Sequence, residues 1–176
     1  DRLRSRGLGD VYKRQLFYLL LGGVPLGFCY KAINTLDSMV GYRNAKYLFF
    51  GRASAKTDDA VNWLPARICG VLLTVSAFLL GLDGKGAWRI FRRDRNNHLS
   101  PNSAQTESAA AGALGIQLGG THVYFGEVVE KPTIGNADRP AEPEDIPRTN
   151  GMMLAASGLS LLGFGLLRLV VVLLLR

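Results

Sequence analysis

Three apolar stretches separated by polar segments constrain this chain most. The third, residues 152–175, is interrupted only by Arg168. A helix needs about 20 apolar residues to cross the hydrocarbon core of a bilayer. This stretch therefore predicts a membrane-spanning helix, with Arg168 near its end, where the side chain can reach the interface or face other helices.

The first two apolar stretches, residues 16–30 and 68–82, are shorter. They reach spanning length only if Lys31 and Arg67 extend their side chains toward the interface. For either stretch a buried core helix or a re-entrant segment is the alternative. Pro25, preceded by two glycines, predicts a kink in the first helix. We expect a mainly α, multi-pass integral membrane protein with short interfacial helices and a large polar loop.

Composition narrows the possible partners and the domain organisation. The net charge of +7 is typical of a membrane protein that faces anionic lipid or holds anionic substrates. Nucleic acid is not an expected partner, because the chain has no basic helix or aromatic-basic motif. Residues 1–15 are polar, basic and interrupted by glycine, and we interpret them as a non-native extension rather than a secretory signal. Residues 16–176 are expected to form one membrane-embedded domain.

The polar segment between the first two stretches carries candidate site residues. Residues 34–43 predict either a helix cap with a solvated loop or a site at the membrane surface. Residues 51–59 lack the spacing of a phosphate-binding Walker A loop, which we reject. Asp58 and Asp59 are adjacent carboxylates that a hard cation could keep ionised, or they lie on a solvated helix face. Pro65 is expected in the first turn of the second helix.

The long polar segment before the third stretch divides by composition. Residues 86–95 predict a short interfacial helix, and residues 100–103 predict a turn that starts the next helix. Residues 107–118 are alanine-rich and predict a helix that ends at two glycines. Residues 121–131 predict a strand or hairpin, and the proline-rich residues 132–148 predict a loop.

Three strings, in this order and spacing, resemble the adenosylcobinamide-phosphate synthases of the CobD/CbiB family. They are NTLDSMVGYRNAKYLFFGRASAKTDDAVNWLPAR (34–67), SPNSAQTESAAAGALGIQLGG (100–120) and YFGEVVEKPTIG (124–135). With the helices between them they cover residues 16–175 and correspond to a C-terminal portion of the family's proteins. The chain departs from the family at Gln105 and Thr106, where an aromatic residue and a proline are usual.

The resemblance implies an enzyme of the inner membrane. Such a ligase joins adenosylcobyric acid to an aminoalcohol phosphate, such as aminopropanol O-phosphate, through an amide bond. It uses ATP as co-substrate and Mg²⁺ as cofactor, and the product is adenosylcobinamide phosphate in cobalamin biosynthesis. The implied partners are the corrinoid, the aminoalcohol phosphate, the lipid bilayer and other enzymes of the pathway. Whether so short a chain is active alone is left open.

The resemblance also suggests roles for individual residues, which we state as expectations. Glu107 and Asp37 would be catalytic, with Glu107 as general base or substrate anchor. The other expected roles are metal binding by Asp37, Asp58 and Asp59; phosphate binding by Arg43, Arg52, Lys56 and Arg67; and polar contacts to the corrin by Asn34, Asn102 and Tyr124.

Two alternatives to the enzyme stay open. A non-catalytic membrane scaffold for corrin-pathway enzymes predicts that the carboxylates tolerate replacement, and a transporter predicts charged side chains that line a pore. One site using both residues 34–67 and 100–135 also requires that the second apolar stretch does not cross the bilayer fully. We expect incomplete crossing for that reason and because the uncharged run is short.

Overall fold

The computed structural model describes residues 8–41, 48–124 and 127–174. Within these ranges the chain is mainly helical, as expected. The elements, in chain order, are α1 (Leu8–Val40), α2 (Leu48–Leu79), α3 (Gly84–Asp94), α4 (Ala104–Leu114), β1 (Leu118–Tyr124), β2 (Glu127–Ile134) and α5 (Asp145–Leu174). α1 begins inside the segment expected to be non-native, and the origin of that segment stays a prediction.

Three of the helices contain segments long and apolar enough to cross a membrane: Arg14–Val40, Phe49–Leu79 and Asp145–Leu174. The prediction that each apolar stretch is helical is therefore confirmed. The first two helices reach spanning length because their polar flanks are helical as well. The solvated loop that was one alternative for residues 34–43 is wrong for residues 34–40, which belong to α1. Residues 48–67 belong to α2, so Asp58 and Asp59 lie on a helix.

The predicted kink in α1 is present. Gly22 and Gly23 leave the helical conformation, and Gly23 takes a φ of 67°, which favours glycine because the residue has no Cβ to clash. Pro25 follows within the helix. Together they interrupt the ladder of backbone hydrogen bonds in an otherwise apolar segment.

Pro65 lies inside α2, so its predicted place in a first helical turn is wrong. A proline at this point cannot donate a hydrogen bond to the carbonyl four residues earlier, which belongs to Val61. The hydroxyl of Tyr18 donates to that carbonyl instead, at 2.6 Å. The substitution of one donor for another lets α2 continue through the proline without an orphaned carbonyl, as a membrane segment requires.

The chain divides into two compact units. Unit 1 comprises Asp1–Pro65 and Leu159–Arg176, and unit 2 comprises Ala66–Gly158. The core of unit 2 is built from small and apolar residues of four helices, namely Leu73, Ala77, Ala87, Phe91, Ala109, Ala113, Met152 and Ala156. Alanines at these positions let helix backbones approach closely, as is usual where membrane helices pack.

Two short helices carry the polar part of unit 2. Asp83 caps α3, since its carboxylate accepts the Gly86 N–H at 2.8 Å. The helix predicted over residues 86–95 is present, and Ile90 and Phe91 are buried while Trp88 is exposed. Its position at the membrane interface stays a prediction. α4 begins at Ala104, after the predicted turn.

α4 ends earlier than predicted. Gly115, with a φ of 64°, is its C-cap, and its N–H bonds the carbonyl of Ala111. The helix was expected to run to residue 118. Gly115 ended it with a left-handed cap instead, and Leu118 begins β1.

The predicted hairpin is confirmed as an antiparallel pair, with Thr121 opposite Glu130. It is longer than expected, because β2 continues through Pro132 to Ile134. An isolated two-stranded hairpin is marginal in water. Ile134 is buried and packs with Ala104 and Ala111 of α4, in a cluster that also contacts Leu118.

The loop predicted for residues 132–148 is confirmed only in its middle. α5 begins at Asp145, and the reason is visible in the contacts of its carboxylate. Asp145 accepts the N–H of Glu142 at 2.9 Å and forms ion pairs with Arg139 and Arg148. An acidic residue bonded in this way at a helix start stabilises the first turn.

Candidate functional site

Unit 1 holds a ladder of polar side chains between α1 and α2. Asn34 donates to the carboxylate of Asp58 at 3.2 Å, and Tyr30 donates to the amide oxygen of Asn62 at 3.0 Å. The side-chain amide of Asn62 in turn donates to the backbone carbonyl of Asp58 at 2.8 Å. The spacing of four residues on each helix places these rungs one turn apart. We call Tyr30, Asn34, Asp58 and Asn62 the α1–α2 ladder.

Residues at and beside the two ends of the ladder are buried. Tyr30 is 2% exposed and stacks on Tyr18, with ring centroids 5.2 Å apart. Ser54 lies one turn before Asp58, is buried, and its hydroxyl has no hydrogen-bond partner among the described residues. Polar groups held inside apolar helices are costly, so this concentration marks a site for polar ligands or a specific helix pairing.

The other predicted residues of this segment have different environments. Asp37 is buried on α1, and Asp59 is half-buried beside Asp58. Arg52 and Lys56 are exposed on α2, on surfaces that a phosphate could reach. Arg43 lies outside the described residues.

The ligands predicted for Mg²⁺ do not form a dedicated cage. Among the described residues, no group of three His, Cys, Asp or Glu side chains is placed to hold a metal ion. Asp58 is bonded to Asn34, so one of its oxygens already has a partner. Magnesium is commonly held by one or two carboxylates together with substrate phosphates. Residues 37, 58 and 59 fit that role better than a site made of protein ligands alone.

Unit 2 has its own polar centre at the end of α3. Asp94 is 3% exposed and accepts the backbone N–H of Gly135 at 2.8 Å. Arg93 forms a bidentate pair with Asp94, at 2.6 and 2.8 Å, and also donates to Asn136 at 2.9 Å. The hydrogen bond from Arg93, followed by the one from the Gly135 N–H, holds the pKa of Asp94 below its usual range. These contacts fasten the end of β2 to α3.

A second buried amide joins α3 to the start of α4. Gln105 is fully buried, and its side-chain nitrogen donates to the carbonyls of Arg95 and Pro101, at 3.0 and 3.3 Å. Its side-chain oxygen has no partner among the residues that the structure describes. The departure from the family's usual aromatic residue at this position therefore places an amide that closes the turn between two helices.

The predicted residues of unit 2 have separate positions. Asn102 is 2% exposed, and Glu107 is half-buried in the first turn of α4. Arg67 is half-buried on α2, one turn before Gly70. A Cβ added at Gly70 would lie 2.7 Å from the carbonyl oxygen of Gln105, so α2 and α4 approach closely there. Tyr124 belongs to β1, and its side chain is outside the described part.

Sequence reasoning missed several residues of these groups. Tyr30 and Asn62 were overlooked in unit 1, and Asp94 and Gln105 in unit 2. For the first pair a signal existed, because Tyr30 precedes Asn34 by one turn and Asn62 follows Asp58 by one turn. For Asp94 none existed, since its partner Gly135 is 41 residues away in the chain.

Much of the chain matches known proteins in sequence. A family model described as CobD/Cbib protein matches residues 8–153. The chain belongs to the CobD/CbiB family. The resemblance drawn from the three sequence strings is thereby confirmed, and the three strings all lie within the matched residues.

Curated relatives in this family are closely similar. The chain is 60% identical over 127 residues to a cobalamin biosynthesis protein CobD of Geobacter metallireducens, covering 72% of this chain and 40% of that protein. It is 52% identical over 149 residues to the protein of that name from Listeria monocytogenes serotype 4b, covering 85% and 47%. It is 56% identical over 146 residues to a cobalamin biosynthesis protein CbiB of Salmonella arizonae, covering 83% and 46%.

The chain spans less than half the length of these curated relatives. No solved structure matches it.

Proposed function

We propose that this chain is part of a membrane-bound ligase of cobalamin biosynthesis, which joins adenosylcobyric acid to an aminoalcohol phosphate with consumption of ATP. The observation that carries the proposal is membership of the CobD/CbiB family over residues 8–153, with relatives named for cobalamin biosynthesis. The reaction itself comes from the family resemblance. The polar groups held between apolar helices support it as places where charged substrates can bind.

The proposed reaction has two steps that require particular groups. A carboxylate is a poor acyl donor, so ATP first transfers its γ-phosphoryl group to it, giving an acyl phosphate and ADP. The amine of the aminoalcohol phosphate then attacks the acyl carbon and releases phosphate. Positive groups must hold the phosphates, and a base must accept the proton that the amine loses.

Each unit contains residues that we propose for these roles. Arg52, Lys56 and Arg67 offer cations for phosphates, and Glu107 is the proposed base. The α1–α2 ladder offers amide, hydroxyl and carboxylate groups for a polar substrate. Mg²⁺ would enter with the phosphates of ATP, held by Asp37 or Asp58, because no protein-only cage is formed by the described residues.

We also propose that the protein is a multi-pass protein of the inner membrane. The support is the presence of three helices of spanning length and composition. α2 is one continuous helix of 32 residues. Labelling of cysteines introduced at the exposed residues Thr57 and Leu99, from each side of sealed vesicles, tests whether α2 crosses fully. Opposite accessibility would contradict the proposed sharing of one site by residues 34–67 and 100–135.

The decisive experiment measures the reaction. The chain, and a chimera in which it replaces the matched portion of the Geobacter metallireducens relative, are reconstituted in liposomes with adenosylcobyric acid, ATP-Mg and aminopropanol phosphate. Mass spectrometry should detect adenosylcobinamide phosphate only when ATP is present. Absence of product from the chimera, while the intact relative is active, would contradict the assignment of this chain to the catalytic part.

Matched variants assign the roles. E107Q should reduce the rate by about 100-fold or more if Glu107 is the base, whereas E144Q, at an exposed glutamate, should leave it unchanged. D58N should reduce the rate and D138N, also exposed, should not. Rates near wild type in D37N, D58N and E107Q would favour the scaffold alternative, which also predicts that the protein binds no nucleotide.

A further inference from the structure

An arginine of α5 donates a hydrogen bond to the backbone at a break in helix α1, within unit 1. The backbone of Gly22 and Gly23 interrupts α1, so carbonyls just before the break lose their usual N–H partners. The guanidinium of Arg168, on α5, donates to one of these carbonyls, that of Leu20, at 3.0 Å. This contact fixes where the charge sits, because a guanidinium bonded at one nitrogen has its remaining donors held in a rigid plane.

The same contact lies beside an apolar groove. α1 and α5 line a groove of about 460 Å³ next to the break, and its walls include Phe17, Leu21, Phe164 and Val171. Phe17 and Phe164 pack edge to face there, with ring centroids 5.3 Å apart. Arg168 is the charged residue of the lining. The groove thus combines a long apolar wall with one positively charged side chain.

Arg168 can reach toward the lipid headgroups when the apolar residues 152–175 of α5 are taken as the spanning segment. It is four to five residues, or about 7 Å along the axis, from the middle of that segment. Half of the hydrocarbon core is about 15 Å thick, and a long arginine side chain extended along the helix covers most of the remaining distance to the phosphate level. No carboxylate in the described ranges pairs with Arg168, and its hydrogen bond to Leu20 uses one of five donors.

We propose that this groove binds one anionic phospholipid, with its phosphate on Arg168 and an acyl chain along the apolar wall. Charge complementarity selects the occupant: a guanidinium without a carboxylate partner is matched by a phosphate, which it can hold through two parallel hydrogen bonds. A net negative lipid balances that charge, whereas a zwitterionic lipid brings its own cation. The volume lies in the range of ordinary small-ligand sites.

The test measures lipid retained by the protein. Wild-type chain is reconstituted in nanodiscs with equal amounts of phosphatidylglycerol and phosphatidylcholine, extracted in mild detergent, and analysed by native mass spectrometry. One phosphatidylglycerol per chain should be retained in preference to phosphatidylcholine. R168Q should weaken that preference by about fivefold, the usual effect of one basic residue on an anionic lipid. R92Q, which removes an exposed arginine of α3, should match wild type.

A second variant separates the groove from the charge. V171W fills the groove and keeps Arg168, so it should lose retention of either lipid. Equal retention of phosphatidylglycerol in wild type and R168Q would overturn the proposal, as would equal retention of the two lipids by wild type. If R168Q does not fold, V171W decides: undiminished retention in that variant means that the lipid sits elsewhere. A dimer that carries no lipid would show that a second chain covers the groove instead.

Discussion

Asp94 is the residue whose removal should most clearly loosen the hairpin of unit 2. It is nearly fully buried, and its two oxygens are used by Arg93 and by the backbone N–H of Gly135. D94A removes both contacts and leaves the Gly135 N–H without an acceptor. We expect the end of β2 to open more often, while the helical core of unit 2 stays folded.

The magnitude follows from the two contacts. A hydrogen bond to a buried charged group contributes about 1.5–3 kcal/mol. The pair with Arg93 adds only about 0.2–1 kcal/mol, since the Arg93 side chain is 52% exposed and solvent screens the interaction. D94A should therefore lower the free energy of local opening by about 2–4 kcal/mol, which corresponds to roughly 30- to 1000-fold faster exchange. D94N keeps an acceptor oxygen and should lie between D94A and wild type.

Hydrogen–deuterium exchange read by mass spectrometry is the appropriate assay, because it reports local opening in detergent. Peptides covering residues 127–140 should lose protection in D94A, while peptides covering residues 68–79 should not. E144A removes an exposed carboxylate near the same loop and is the matched control. If D94A exchanges no faster than E144A around Gly135, the carboxylate does not hold the hairpin and the reasoning fails.

The same contact makes the hairpin sensitive to acid. The bonds from Arg93 and then from Gly135 place the folded-state pKa of Asp94 below its ordinary value, which is about 3.9 in unfolded chains. Its stabilisation is therefore present above about pH 4 and is lost as the pH falls through the folded-state pKa. After correction for intrinsic exchange rates, protection around Gly135 should fall with acid in wild type. It should be nearly constant with pH in D94N, and equal pH dependence in the two proteins would contradict this account.

Three further substitutions test packing and the ladder. G70A should destabilise unit 2 by about 1–3 kcal/mol through overpacking. G158A is the control, because an added Cβ there meets nothing within 4 Å, and it should not destabilise the unit. Equal melting temperatures of the two variants would refute the close approach of α2 and α4. Y30F removes the hydroxyl that donates to Asn62 and should cost about 1 kcal/mol in thermal stability. D58A, by removing the acceptor of the ladder, should lower thermal stability more than Y30F does, and the reverse order would show that the carboxylate is not held by the ladder.

The features that could be predicted from sequence depend on local rules. Apolar stretches of sufficient length indicated the helices, two glycines before Pro25 indicated the kink, and β-branched and aromatic residues indicated the hairpin. Each rests on neighbours in the chain. The predicted end of α4 was wrong because local rules could not distinguish the possible caps. Gly115 and the later pair of glycines are equally good caps, and only packing decides between them.

The polar stretches were misjudged because their partners are distant. Residues 34–40 and 48–62 look like loop when each is read alone. Both are helical, and some of their polar groups bond between the helices: Asn34 donates to Asp58, and Tyr30 donates to Asn62. The candidate site followed the same pattern: the family strings suggested residues for it, but which of those residues face one another could not be predicted.

Helical hydrogen bonding is interrupted at two points, one in α1 and one in α2, and these points suggest how such pairings could be sought in a sequence. A proline or glycine break in an apolar helix frees a carbonyl, and in a membrane that carbonyl needs a donor from another segment. Pro65 leaves the carbonyl of Val61 without its helical donor, and the hydroxyl of Tyr18 donates to that carbonyl. The break at Gly22 exposes the carbonyl of Leu20, and the guanidinium of Arg168 donates to it. In both cases the donor is one of the few polar side chains within another apolar stretch. A break in one apolar helix and an isolated donor in another are therefore candidates for pairing that a sequence can suggest, and in this chain such contacts join α1 to α2 and α1 to α5.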